Sequence, residues 1–147
     1  MKTKTLDDII AIIEGLLNVK RDLDKQTNNC SGYEDARKQA IKYWSLVSSI
    51  DECLVGVDNH NRDTETKKKL TYSKLLSESN ETSEAGKKRV AENNTEYILI
   101  DDELRKGELY RSYLRNIRED IFAGHYLMKS IFERDVDIFL ATPRSEN

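Results

Sequence analysis

The chain has 147 residues, enough for one domain or one protomer of an assembly. It carries 24 Lys and Arg against 27 Asp and Glu, and its net charge of −3 excludes a uniformly basic nucleic-acid binder. With 35% charged residues, six glycines and a single proline, the composition matches long helices rather than sheets.

The N-terminal MKTKTLDDIIAIIEGLL has a short apolar run, broken by Asp7, Asp8 and Glu14. A secretory leader needs an unbroken apolar core, and a spanning helix needs about 20 apolar residues. The chain is therefore expected in the cytoplasm, with no membrane partner. A first helix is expected over 5–27, capped by Thr5 with Asp8 in a capping-box position. Its apolar stripe is Leu6, Ile9, Ile10, Ile13, Leu16, Leu17 and Leu23. The following QTNNCSG, Gln26–Gly32, reads as a loop. Cys30 and Cys53 lack CxxC or metal-ligand spacing and read as reduced thiols.

A second helical pattern covers 33–79. Its apolar face is Ala36, Ala40, Tyr43, Trp44, Val47, Ile50, Leu54 and Val57. Beyond it, DNHNRDTETKKKLTYSKLLSES keeps only Leu70, Tyr72, Leu75 and Leu76 as anchors. The span is either one long helix reaching into solvent, which we favour, or two helices broken near Asp58–Asn61. ESNETS is a polar connection, and a short helix over 84–92 follows with Ser83 as its cap. Thr95 is expected to cap a final helix over 95–139, with 140–147 as a tail.

Along that final helix Ile100, Gly107, Leu114, Ile121 and Met128 recur every seven residues. A second series, Tyr110, Ile117, Gly124, Ile131 and Ile138, makes the steps alternate between three and four, as in a coiled-coil seam. Gly107 and Gly124 either admit a bulky neighbour or are merely tolerated. The expected fold is an all-α, elongated helical bundle with a long C-terminal helix and a coiled-coil-like seam. Aromatics at Tyr110, Tyr113, Phe122, Tyr126, Phe132 and Phe139 occupy more than one face, which points to a homo-oligomer. Ile100, Leu114, Ile117, Ile121, Met128 and Ile131 are the expected oligomerisation residues.

No catalytic signature stands out. His60 and His125 lie in separate segments with no ligand at metal-binding spacing, and EAGKK lacks the context of a phosphate loop. Adjacent acids such as Asp101–Glu103 read as solvated. No enzyme, cofactor or metal is expected.

Two basic clusters remain: Lys67, Lys68, Lys69 and Lys74 around Tyr72, and Lys87, Lys88 and Arg89. They flank one polar connection, so a hairpin return would bring them together. Lysines on phosphates give salt-sensitive affinity, and an aromatic among them suits stacking of a single-stranded base. On composition alone, pairing with Glu65, Glu78 or Glu84 is the stronger reading. Lys87–Arg89 are also explained as the last turns of a short helix, where cations favour the macrodipole. Arg111, Arg115 and Arg118 form a further stripe, best read as salt bridging between helices or subunits.

The succession KYWSLVSSI, KKKLTYSKLL, GKKRVAENNTEYILIDDEL and EDIFAGHYLMKSIFERD resembles the phage recombination mediators of the UvsY-like family. The resemblance spans about Tyr33–Asp135. It implies a helical protein that forms rings, binds single-stranded DNA, and helps load a RecA-like recombinase by displacing single-strand-binding protein. The family's basic motif maps onto TKKKLTYSK by character only, since its lysine–arginine alternation is not in register. The resulting expectation places single-stranded DNA on Lys67–Lys69, Tyr72 and Lys74, with Lys87–Arg89 in support. The alternative is a phage helical interaction protein that ignores DNA, either a structural chaperone or an inhibitor of a host enzyme.

Overall fold

A computed structural model of the chain describes residues 4–141, apart from the Phe139 side chain. The final helix continues through Leu140 and Ala141, which were expected in the tail; the rest of the expected 140–147 tail and the Phe139 part of the aromatic argument lie outside the described residues. Every described element is a helix: α1 (Leu6–Thr27), α2 (Tyr33–Glu78), α3 (Glu84–Glu92) and α4 (Thr95–Ala141).

Local chemistry explains the boundaries. Thr5 Oγ1 accepts from Asp8 N at 3.2 Å while Asp8 Oδ2 accepts from Thr5 N at 2.9 Å, a complete capping box. Gly32 precedes α2 at φ 84°, a left-handed conformation that favours glycine. Ser83 caps α3 by accepting from Gly86 N at 3.0 Å. The cap of α4 differs from expectation. Asn94, not Thr95, holds it, with Oδ1 accepting from Glu96 N at 2.9 Å and Tyr97 N at 3.3 Å. Asparagine competes better than threonine for that position, so the boundary moves back by one residue.

No break occurs near Asp58–Asn61: α2 runs unbroken for 46 residues. Nor does its second half stand alone in solvent. It pairs lengthwise with α4, itself 47 residues and therefore about 70 Å long. The pairing is antiparallel and keeps its register to within about one helical turn, from Tyr33 against Phe132, through Ala40 against His125 and Asp51 against Arg118, to Tyr72 against Tyr97.

The heptad series of α4 faces this intramolecular partner. Leu114, Ile121 and Met128 are at most 1% exposed, Ile100 and Ile117 are buried, and Ile131 is half-buried against the core. The six residues assigned to oligomerisation thus pack inside one protomer. Repeating steps of three and four specify a mate for a helix but not whether that mate belongs to the same chain. Ile138 falls outside the seam and is exposed.

Both seam glycines admit a neighbour. A methyl on Gly124 would lie 2.7 Å from Tyr43 Cε1, and one on Gly107 would lie 1.8 Å from Asn61 Oδ1. Tyr43 is fixed in turn by α1, its hydroxyl lying 2.6 Å from Asp24 Oδ1 and 3.1 Å from Thr27 Oγ1. Burial, followed by the hydrogen bond to Asp24, pushes the Tyr43 phenol up to about 12.

Helix α1 covers the first half of α2 and touches α4. Leu6, Ile9, Ile13 and Leu23 are buried, with Ile10, Leu16 and Leu17 packed against the same core. Helix α2 consequently has two apolar faces. Leu46 and Cys53 are buried although they lie outside the stripe read from the sequence, whereas Trp44, placed on that stripe, is 53% exposed. Cys30 and Cys53 are free thiols, and burial raises both above the usual thiol range.

Candidate nucleic-acid interface

The two basic clusters lie at the closed end of the hairpin. Helix α3 bridges the end of α2 to the start of α4, contacts both, and buries Ala91 completely. The chain return brings α3, which carries the second cluster, against α2, which carries the first. Their availability is uneven.

Lys68 is committed to the fold. Its ammonium is hydrogen-bonded to Asp101 across the hairpin and lies 5.6 Å from the centre of the Tyr97 ring. Asp101 also receives Arg105 at 2.9 Å. The hydrogen bond to Asp101 raises the Lys68 ammonium above its usual range, and Lys68 in turn holds the Asp101 carboxyl low. Lys69 pairs with Glu65 at 2.8 Å, and Lys87 with Glu84 at 3.4 Å. Pairing with Glu65 and Glu84 therefore accounts for two of the lysines.

Tyr72 is half-buried, its ring centre 5.5 Å from that of Tyr97. One face of the ring is occupied by the hairpin itself. Lys67, Lys74, Lys88 and Arg89 are exposed and have no carboxylate within ion-pair distance among the described residues. Lys67 also lines an open groove of about 460 Å³ with His60, Thr64, Glu96 and Glu103. His60 Nε2 is 3.3 Å from Glu103 Oε1 in that groove. In α3 only Arg89 occupies the last turn, so the macrodipole explains one cation of the three, and Lys87 leans back toward the first turn.

The arginine stripe of α4 divides in the same way. Arg118 Nε donates to Asp51 Oδ1 at 2.5 Å. Arg111 Nε approaches Asp58 Oδ1 at 2.6 Å, close in distance but poorly aligned as a hydrogen bond. Asp51 and Asp58 are one heptad apart, as are Arg118 and Arg111, so the two pairs reinforce one register between α2 and α4. These bridges join helices of one chain. Arg115 makes no ion pair with Glu119 among the described residues.

Sequence reasoning missed an exposed aromatic surface around Trp44 at the other end of the hairpin. A signal for it was present. Tyr43 sits three residues after Ala40 and four before Val47, so it holds the seam and its immediate neighbour must turn away. Among the described residues no group of three or more His, Cys, Asp or Glu is arranged to hold a metal ion. No described helix is long and apolar enough to cross a membrane. The chain matches no protein-family model, no curated protein and no solved structure.

Proposed function

We propose that the chain is a non-enzymatic recombination mediator that binds single-stranded DNA and helps load a RecA-like recombinase by displacing single-strand-binding protein. One observation carries this reading: four exposed cations, Lys67, Lys74, Lys88 and Arg89, share the closed end of the hairpin and have no carboxylate partners among the described residues. The resemblance to UvsY-like mediators supports it. Each protomer offers a weak electrostatic site, and a homo-oligomeric ring multiplies such sites through effective concentration. Because the α4 seam is spent on α2, the ring uses other surfaces. The working compartment is the cytoplasm of the cell in which the chain is made.

The second reading, a helical interaction protein that ignores DNA, is favoured by the commitment of Lys68 and Lys69 to Asp101 and Glu65. A loading assay separates the two. On single-stranded DNA coated with single-strand-binding protein, a mediator shortens the lag before the recombinase hydrolyses ATP. An unchanged lag at all protein ratios rejects the mediator reading.

A further inference from the structure

The open surface at the other end of the hairpin has a chemistry of its own. A groove of about 550 Å³ runs between α2 and α4, lined by Arg37, Trp44, His125, Tyr126, Lys129 and Phe132, together with Ala40 and Ile41. In a chain of net charge −3, it contains two cations and no carboxylate. Trp44 is 53% exposed and Tyr126 57%, although both are large rings that folding would ordinarily cover.

The rings are held in place rather than free to collapse. Trp44 stands edge-on to Phe122, with centroids 5.8 Å apart and an interplanar angle of 71°. Phe122 stacks on Tyr126 at 6.0 Å and 20°, and the Arg118 guanidinium carbon caps Phe122 at 4.6 Å. His125 lies 5.2 Å from Trp44 by ring centres. Its Nδ1 is 2.9 Å from the Ala40 carbonyl oxygen. A carbonyl only accepts, so Nδ1 carries the proton and Nε2 remains as the second polar atom of the ring. Arg37 has no carboxylate within ion-pair distance among the described residues, and Lys129 only a loose, exposed one in Glu133 at 3.8 Å.

We propose that this groove is a base-stacking platform for a single nucleic-acid strand, with Trp44 and Tyr126 receiving bases and Arg37 and Lys129 taking the flanking phosphates. The inference rests on the single-strand reading above and deepens it by naming a second contact surface. Lys67 lies 23 residues beyond Trp44 along α2, about 35 Å away. Aromatic faces accept any base, while cations track the backbone, which is how single strands are held without sequence preference. An apolar peptide would satisfy the rings but leave Arg37 without a counter-charge and Lys129 with only its loose pair to Glu133. A duplex would satisfy the cations but leave the rings without a base face.

Trp44 is the only tryptophan in the chain, so its emission reports this groove alone. The full-length protein is titrated with oligo-dT while Trp44 emission and the anisotropy of a labelled copy of the strand are followed together. The expected result is saturable quenching that tracks the anisotropy, with much weaker quenching by a duplex of equal length. Trp44→Ala should weaken binding about tenfold, and Tyr126→Ala by a similar factor, with helicity and oligomer mass unchanged. Arg37→Ala with Lys129→Ala should flatten the salt slope by about 1.4, or 0.7 per phosphate. If the strand binds with a salt slope but Trp44 emission stays flat and Trp44→Ala binds normally, the platform is refuted and the mediator reading stands. A fall in oligomer mass with Trp44→Ala also refutes it, because the groove would then be a contact between copies. No binding under any salt condition removes both readings.

Discussion

Tyr43 joins three helices. It belongs to α2, its hydroxyl is tied to Asp24 and Thr27 of α1, and its ring fills the notch left by Gly124 of α4. Replacing Gly124 by alanine would gain about 1 kcal/mol of helix propensity. The new methyl would meet a ring that α1 prevents from moving, and overpacking of this kind costs about 1–3 kcal/mol. Gly124→Ala is therefore expected to lower stability in urea unfolding; an increase would contradict the packing. Gly107 is a milder case, since its neighbour is the end of an asparagine side chain that can swing aside.

The phenol of Tyr43 also gives a pH signature. Its folded value of about 12 lies above the ordinary 10.0, so the folded state retains the proton more tightly than the unfolded chain. The stability linked to this group is complete below pH 10 and is lost as pH rises toward 12. In Tyr43→Phe that alkaline loss should diminish, visible as a flatter melting temperature against pH. Equal slopes for the two proteins would show that the hydroxyl is not buried as described.

For the helices, the decisive feature is the mate of α4. A series of seven-residue steps through Ile100, Gly107, Leu114, Ile121 and Met128 was legible in the sequence, as were the caps at Thr5 and Ser83 and the loop around Gly32. Periodicity does not carry the identity of the partner helix. An antiparallel mate in the same chain satisfies the same spacing as a second subunit, and only the return of the chain through α3 decides between them. The two-sided burial of α2 was hidden for a related reason. Leu46 and Cys53 lie about a quarter-turn off the main stripe, and their burial depends on α1 docking there. The seam assignment predicts that Leu114→Ala costs about 2–5 kcal/mol. The exposed Leu109→Ala should stay within about 0.5 kcal/mol. Equal losses in thermal unfolding would place Leu109 in an interface and the seam elsewhere.

In the whole molecule, α1 thickens one end of the α2–α4 hairpin into a three-helix bundle, and α3 closes the other end. Charge is distributed unevenly along this rod. Register-setting pairs at Asp51–Arg118 and Asp58–Arg111 occupy the middle, while Lys67, Lys74, Lys88 and Arg89 at the closed end have no carboxylate within ion-pair distance among the described residues. The position of the basic clusters could be read from the sequence because a polar connection separates them. Their division could not, because Lys68 is spent on Asp101, 33 residues away, whereas Lys67 beside it is left exposed. Removing all three of Lys67–Lys69 would thus mix a binding effect with loss of a hairpin bond. The cleaner variant changes Lys67, Lys74, Lys88 and Arg89 to alanine and leaves Lys68 in place.

If these cations hold a single strand, fluorescence anisotropy of labelled single-stranded DNA across a salt series will show it. The expected result is affinity that falls linearly in log–log form as salt rises, by about 0.7 in slope per phosphate contacted. The four-alanine variant should retain wild-type helicity and a flatter slope. Affinity that is absent near micromolar protein, or indifferent to salt, would mean that these cations do not hold a strand.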